Sequence, residues 1–282
     1  MTRRALLDDA VDQLTAAGVE GPRRSAEWII EDATGATRAE IYARPDVVVE
    51  PAEAALVARY VTRRATGEPV QYVLGHTNFY GLHISLTPDV LIPRPETEEV
   101  VERALRHVGE APWVLDIGTG SGAIALALKH ARPAAEVFAV DVSAAALEVA
   151  SGNAQHLGLE VTFVRADALR PSFADEVPPT FDLIVSNPPY VPEAEKADLQ
   201  LEVGHEPDTA LFVSDSDPLV FYRALAGHAS RLLRPGGWVV AETHADHGQA
   251  VGALWRAAGL VEVEVHADLS GRDRIAIGRR AD

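Results

Sequence analysis

The chain has 282 residues, 47% of them hydrophobic and 24% charged, which excludes wholesale disorder and bounds it to one large domain or a large one with a small companion. It contains no cysteine, so a disulfide framework, a thiolate metal site and a cysteine nucleophile are excluded; none of its ten histidines pair at zinc-ligand spacing next to a carboxylate motif, and no metal is expected. The formal net charge of -17 argues against DNA as the main partner, because grip on phosphates needs a basic face, and it suits a protein partner.

The N-terminus reads Met1-Thr-Arg-Arg-Ala-Leu-Leu-Asp-Asp9, where acids interrupt the apolar residues too soon for a signal-peptide core. No apolar run approaches membrane-spanning length, so a cytoplasmic protein without membrane contact is expected. Thr2 can cap a helix that runs to Ala17, with Gly18 as its stop. Pro22 suits a first helical position, and Trp28, Ile29 and Ile30 give that second helix an apolar face before Gly35 ends it. Pro51 to Thr66 repeats the pattern with Leu56, Val57, Tyr60 and Val61. These helices predict a small bundle of their own.

The texture changes at Gly67. Residues 78–87 alternate around Gly81 as a β-hairpin would. Pro95 and the acids after it predict a helix start leading to Val100, Val101, Ala104 and Leu105. From Ala111 strands and helices alternate: strands at Trp113–Ile117, Glu136–Asp141, Val161–Val164 and Phe181–Ser186, and helices at Ala123–Ala131 and after Ser143. The chain ends as strand Trp238–Glu242, helix Gly248–Ala258, strand Leu260–His266 and strand Asp273–Gly278. Such alternation predicts a mostly parallel sheet with helices on both faces. The last two strands have no helix between them, so one of them should be antiparallel to the rest.

Asp116-Ile-Gly118-Thr119-Gly120-Ser121-Gly122 joins the first of these strands to a helix. Glycine turns tightly and lets a ligand approach without a Cβ in the way. Asp141 ends the next strand, where an acid can accept from ribose hydroxyls about 20 residues on. Together these residues predict a nucleoside-containing cofactor. The spacing is G-x-G-x-G rather than the dinucleotide G-x-G-x-x-G. Asp116 can organise the loop or meet a cationic group. Asp167 follows the third strand and can serve either an adenine amino group or a turn cap.

Asn187-Pro188-Pro189-Tyr190 follows the fourth strand. Two prolines hold φ fixed and donate no backbone hydrogen bond, so a carbonyl there is rigidly aimed. The Asn187 side-chain oxygen is a second acceptor. Two acceptors can hold both hydrogens of one NH2 group, and Tyr190 offers a flat face to a planar substrate. An amide or aromatic amino nitrogen is a poor nucleophile, and acceptors on its hydrogens push electron density onto it and aim it. From these four residues alone, amide and nucleobase stay open.

The Gly118 to Gly122 loop resembles the first motif of class I methyltransferases. With Gly67-Glu-Pro-Val-Gln-Tyr72, Asn78-Phe-Tyr-Gly81, Val90 to Glu98, His205-Glu206-Pro207 and Gly271 to Arg279, the chain resembles the peptide chain release factor glutamine methyltransferase family, the HemK/PrmC type. The resemblance spans essentially the whole chain. It implies a Rossmann-like, mostly parallel seven-stranded sheet with one antiparallel strand. The expected layout is a helical recognition domain over 1–75, a hairpin and linker over 76–98, and a methyltransferase domain over 99–282. It implies S-adenosylmethionine as methyl donor, held by Asp116, Gly118, Thr119, Gly120, Ser121, Gly122, Asp141, Asp167, Ala168 and Asn187. It implies a substrate glutamine held by Asn187, Pro188, Pro189 and Tyr190, with Asn187, Pro188 and Tyr190 serving the transfer. The glutamine would be that of the Gly-Gly-Gln motif of a class-1 release factor, and a monomer is expected. Arg94, Glu96 and Thr97 resemble part of a lid over the site, or equally a helix-capping loop.

Two stretches depart from the family pattern. Ala168 stands where an aromatic residue is common, and Val213–Leu219 replaces a Gly-rich stretch, a loop change expected away from the chemistry. The competing readings are a ribosomal-protein glutamine methyltransferase, an adenine-N6 methyltransferase on nucleic acid, and a catalytically silent cofactor-binding protein.

Overall fold

Five helices open the chain, and their starts follow from local chemistry. The computed structural model describes residues 1–268 and 270–282. Helix α1 (Arg3–Ala16) begins where the Thr2 hydroxyl accepts from the Ala5 N–H, and α2 (Pro22–Thr34) has Pro22 at its first position and Gly35 at its left-handed end. Helix α3 (Arg38–Ala43) was not foreseen. It is short, and its signal is a capping box between Thr37 and Glu40 rather than an apolar run. Helices α4 (Pro51–Arg64) and α5 (Val70–Leu74) complete the set. Leu6, Leu7, Leu14, Ile29, Ile30, Ile41, Val57 and Val61 form its buried core.

The chain divides into two compact units, Met1–His76 with Gln200–His205, and Thr77–Leu199 with Glu206–Asp282. The short return of Gln200–His205 to the helical unit has a clear anchor. Arg64, only 4% exposed, pairs its Nη2 with Glu202 Oε1 at 2.6 Å and donates to the Glu68 carbonyl and Ser25. Such a distant partner for a buried cation carries no local sequence signal.

The chain passes into the second unit within the hairpin of β1 (His76–Phe79) and β2 (Leu82–Ser85), followed by α6 (Pro95–Arg106). Then come β3 (Trp113–Ile117), α7 (Ala123–Ala131), β4 (Glu136–Asp141), α8 (Ala144–Leu157), β5 (Thr162–Arg165) and β6 (Phe181–Ser186). A short parallel pair, β7 (Val191–Pro192) and β8 (Phe212–Val213), brackets α9 (Asp208–Leu211). The order closes with α10 (Val220–Leu232), β9 (Leu233–Glu242), α11 (Gly248–Ala257), β10 (Leu260–Ala267) and β11 (Asp273–Arg280). Helix α10 was also unforeseen, since no side chain caps its start, but it buries Tyr222, Leu225, Ala226, Ala229 and Leu232.

The seven-stranded sheet runs β10-β11-β9-β6-β3-β4-β5. Strand β11 is antiparallel to both neighbours and the other pairings are parallel, because β10 turns into β11 without a crossover helix. Every residue of β6 is buried, as a central strand covered on both faces requires. Trp255, Tyr222, Phe173 and Phe181 are fully buried in the main core. The first strand of the parallel set, β3, lies between β4 and β6, so the chain order reverses there. Ligands in open α/β sheets bind at the carboxyl ends of strands at such a switch point. Among the described residues, no helix is long and apolar enough to cross a membrane.

Candidate functional site

Two loops leave the sheet side by side at the β3/β6 switch. Ile117 and Ser186 are register partners, and the Ser186 hydroxyl donates to the Ile117 carbonyl at 2.6 Å. Residues 118–122 and 187–190 therefore start from one pinned edge.

The first loop is shaped by its glycines and one buried acid. Gly118, Gly120 and Gly122 have φ of +76°, +54° and +84°, a region that L side chains rarely adopt. They differ in surroundings. A Cβ on Gly118 or Gly120 would meet nothing within 4 Å, whereas one on Gly122 would meet Ala150 Cβ at 3.1 Å. The first two glycines face open space and the third packs on α8. Asp116 lies behind the loop with no exposure, and its Oδ2 accepts from the Thr119 hydroxyl at 2.7 Å and the Ala125 N–H at 3.2 Å. Its Oδ1 is buried without a partner among the described residues. Burial lifts the carboxyl to about 7. Asp141 Oδ2 accepts from the Gly120 N–H at 2.9 Å and Oδ1 from the Ser143 N–H at 2.9 Å, while burial pushes this carboxyl upward too.

A solvent-open cleft lies over both loops. Of the expected cofactor residues, Gly118, Gly120, Asp141, Asp167, Ala168 and Asn187 line it. Asp116, Thr119, Ser121 and Gly122 do not. Thr119 and Ser121 are buried, and the Ser121 carbonyl accepts from Asn153 at 3.0 Å, so these residues shape the loop from behind. Asp167 accepts from the Leu169 N–H and lies 3.4 Å from Arg170, so it caps a turn while lining the cleft. The Ala168 carbonyl accepts from His228 Nε2 at 2.7 Å. A carbonyl only accepts, so that nitrogen carries the proton, and burial holds the ring below its usual range as a neutral donor.

Sequence reasoning missed further residues that line the cleft: Leu91, Val142, Ala210, Phe221 and Leu225. Phe221 and Leu225 lie on α10, which no local signal announced. Phe221 lines the same cleft as Ala168, so this cleft has an aromatic side chain although position 168 has none. Open glycines, a carboxylate at the end of the second strand and apolar walls accommodate a ligand with a ribose and a planar base.

The second loop is shaped by side chains from far along the chain. Asn187, Pro188 and Pro189 line the cleft, whereas Tyr190 does not. The Tyr190 hydroxyl donates to Glu242 Oε1 at 2.9 Å, and burial together with that carboxylate pushes its pKa well up. Glu242 is 1% exposed at the end of β9, and burial raises its pKa against the hydroxyls that donate to it. Its Oε2 accepts from the Thr97 hydroxyl at 2.7 Å, and Thr97 Oγ1 accepts from Asn187 Nδ2 at 3.2 Å. Thr97 is thus buried at the start of α6 beside Asn187, while Glu96 is exposed. Glu206, 5% exposed, accepts from the Ile92 N–H at 3.0 Å and from Arg94 at 2.5 Å, which pins the loop before α6. No signal in the 187–190 stretch pointed to Thr97 or Glu242.

Residues 5–75 match the PrmC N-terminal domain family and residues 100–206 the methyltransferase small domain family. The chain is 44% identical over 287 residues to the release factor glutamine methyltransferase of Moorella thermoacetica, covering 100% of each. It is 40% identical over 278 residues to the protein of that name in Geobacter sulfurreducens, covering 99% of this chain and 96% of the relative. A methyltransferase crystal structure from Pyrococcus furiosus superposes with a TM-score of 0.54 at 20% identity, covering 72% of this chain and 90% of that one, a likeness of fold.

Proposed function

Since the chain belongs to the release factor glutamine methyltransferase family, we propose that it transfers a methyl group from S-adenosylmethionine to the side-chain amide nitrogen of the Gly-Gly-Gln glutamine of a class-1 release factor. The observation that carries this reading is the position of Asn187. It opens the loop after β6, lines the same cleft as Gly118, Gly120 and Asp141, and has its NH2 end turned to Thr97.

The fit to the donor rests on the cleft itself. Gly118 and Gly120 leave room for close backbone approach, and Asp141 can accept from ribose hydroxyls while it braces the loop. Val142, Ala168, Phe221 and Leu225 would enclose the adenine. Asp116 would brace the loop from behind through the Thr119 hydroxyl and the Ala125 N–H. Bound there, the sulfonium of the donor supplies an electrophilic methyl.

The residues of this chain supply aim and polarisation. Asn187 Oδ1 and the Pro188 carbonyl would each accept one hydrogen of the glutamine NH2. That grip resists rotation about the C–N bond and concentrates electron density on nitrogen. The N–CH3 bond forms as the S–CH3 bond breaks, the bonding pair stays on the donor sulfur, and one amide proton is released to water. Pro189 keeps the backbone rigid. Tyr190 would act from beneath, through Glu242, and not as an exposed stacking face.

The test is incubation with labelled S-adenosylmethionine and, in parallel, a release factor, ribosomal proteins and DNA. Label is expected on the release factor at the Gly-Gly-Gln glutamine. Label only in DNA, or on the release factor at any other residue, overturns the proposal. The acidic balance of the chain and its full-length likeness to named glutamine methyltransferases favour the amide over a nucleobase.

A further inference from the structure

We propose that Thr97 and Glu242 form a positioning pair that decides which end of the Asn187 side-chain amide faces the cleft. The inference rests on the reading of Asn187 as an acceptor for a substrate amide. An asparagine amide has a donor end and an acceptor end of nearly equal size. Nothing in the Asn187-Pro188-Pro189-Tyr190 stretch itself selects between them.

Proton counting makes the selection. Glu242 lies at the end of β9 with both carboxylate oxygens engaged, Oε1 by the Tyr190 hydroxyl and Oε2 by the Thr97 hydroxyl. Two hydroxyl donors and the nearby charge of Arg274 act against burial to keep Glu242 ionised, and with it ionised the carboxylate only accepts, so the single hydroxyl proton of Thr97 is committed to it. What remains on Thr97 Oγ1 is lone-pair density. Asn187 meets that atom at 3.2 Å and must present N–H there, which leaves Oδ1 for the cleft. The flipped amide would set two acceptors against each other beside a 3% exposed threonine. Further anchoring holds the carboxylate in place. The Tyr222 hydroxyl donates to the Glu242 backbone carbonyl at 3.0 Å, and Trp255 Nε1 donates to the Tyr222 carbonyl at 3.0 Å. The same carboxylate thus orients both ends of the loop, Asn187 through Thr97 and Tyr190 directly.

Thr97→Val keeps the shape and removes the acceptor. Thr97→Ser keeps the acceptor and removes a methyl. Glu242→Gln keeps the shape and places a donor where the network needs an acceptor. We expect Thr97→Val and Glu242→Gln each to lower kcat by about 10-fold to 100-fold, as misplacement of a reactive group does, with donor affinity near that of the wild type. Thr97→Ser should recover most of the rate. The Asn187 side-chain NH2 protons, assigned through Asn187→Ala, should exchange slowly with water in the wild type and quickly in Thr97→Val. Folded Thr97→Val or Glu242→Gln protein with wild-type kcat overturns the proposal. So does Thr97→Ser as impaired as Thr97→Val, or unchanged Asn187 exchange in both variants. The exchange readout needs no release factor, so a wild type that methylates no glutamine defeats the proposed function and leaves this inference standing on its own result.

Discussion

The two loops at the carboxyl ends of β3 and β6 do neighbouring jobs by opposite means. The glycine loop takes its shape from within: three positive-φ glycines and two acids, with the Gly120–Asp141 contact only 21 positions apart. The Asn187 loop is stiffened by two prolines but oriented from outside, by Thr97 90 positions away and by Glu242 52 positions beyond Tyr190. A backbone that must leave the usual φ region selects its residues locally. A side-chain amide that must not flip needs a partner whose own proton is already committed, and any element packed beside it can supply one.

The sharpest way to break this comparison is Asn187→Ala. If the second loop serves the chemistry and the first serves binding, this variant should lose about 100-fold to 1,000-fold in kcat while calorimetry finds donor affinity almost unchanged. Near-normal turnover would remove the contrast. Gly122→Ala probes the other loop. Its Cβ combines a positive φ with a 3.1 Å approach to Ala150, so chemical denaturation should show a loss of about 2–4 kcal/mol. Equal stability of variant and wild type would mean the α8 contact yields freely.

Asp116 gives a pH test of the loop interior. Its folded carboxyl titrates at about 7 because burial disfavours its charge, above the ordinary value of an unfolded aspartate. Between those values the folded state holds the proton and the unfolded state does not, so this group's contribution to stability falls as pH rises from about 4 to about 7. Asp116→Asn lacks this titration. Its stability relative to the wild type should therefore rise across that window and level off above it. A difference that stays flat with pH refutes the burial effect. The smallest expected effect is at the seam of the two loops. Ser186→Ala removes the 2.6 Å bond to the Ile117 carbonyl and should cost about 1 kcal/mol in denaturant melts. Because it touches both loops, it should weaken donor binding and turnover together, unlike Asn187→Ala.

Much of this protein is determined by its sequence alone, wherever the physics is local. Pro22, Pro51 and Pro95 begin helices because proline has no N–H to lose there, and each of α2, α4 and α6 starts at its proline. Phe181–Ser186 is a strand with the same bounds in sequence and structure, because its short, mostly apolar run with Leu183, Ile184 and Val185 in succession suits burial on both faces. The lack of a crossover helix before Asp273 implies the antiparallel strand, which is β11. Asp116 to Gly122 and Asn187 to Tyr190 announce themselves by unusual local residues. Helix α10 and the return of Gln200–His205 to the helical unit do not, since tertiary partners hold them, and the six-residue α3 is marked only by its Thr37–Glu40 capping box.

The same division runs through the site. That a glycine-rich loop follows β3 and an Asn-Pro-Pro-Tyr loop follows β6 was legible in the sequence. Tertiary structure decided that Thr119 and Ser121 sit behind the first loop and that Tyr190 turns from the cleft to Glu242. It also set Thr97 beneath Asn187 instead of on the surface. Each of these outcomes depends on which buried donor meets which acceptor across strands and helices far apart in the chain. Hydrogen-bond satisfaction in a core is a global condition, and only the assembled fold can meet it.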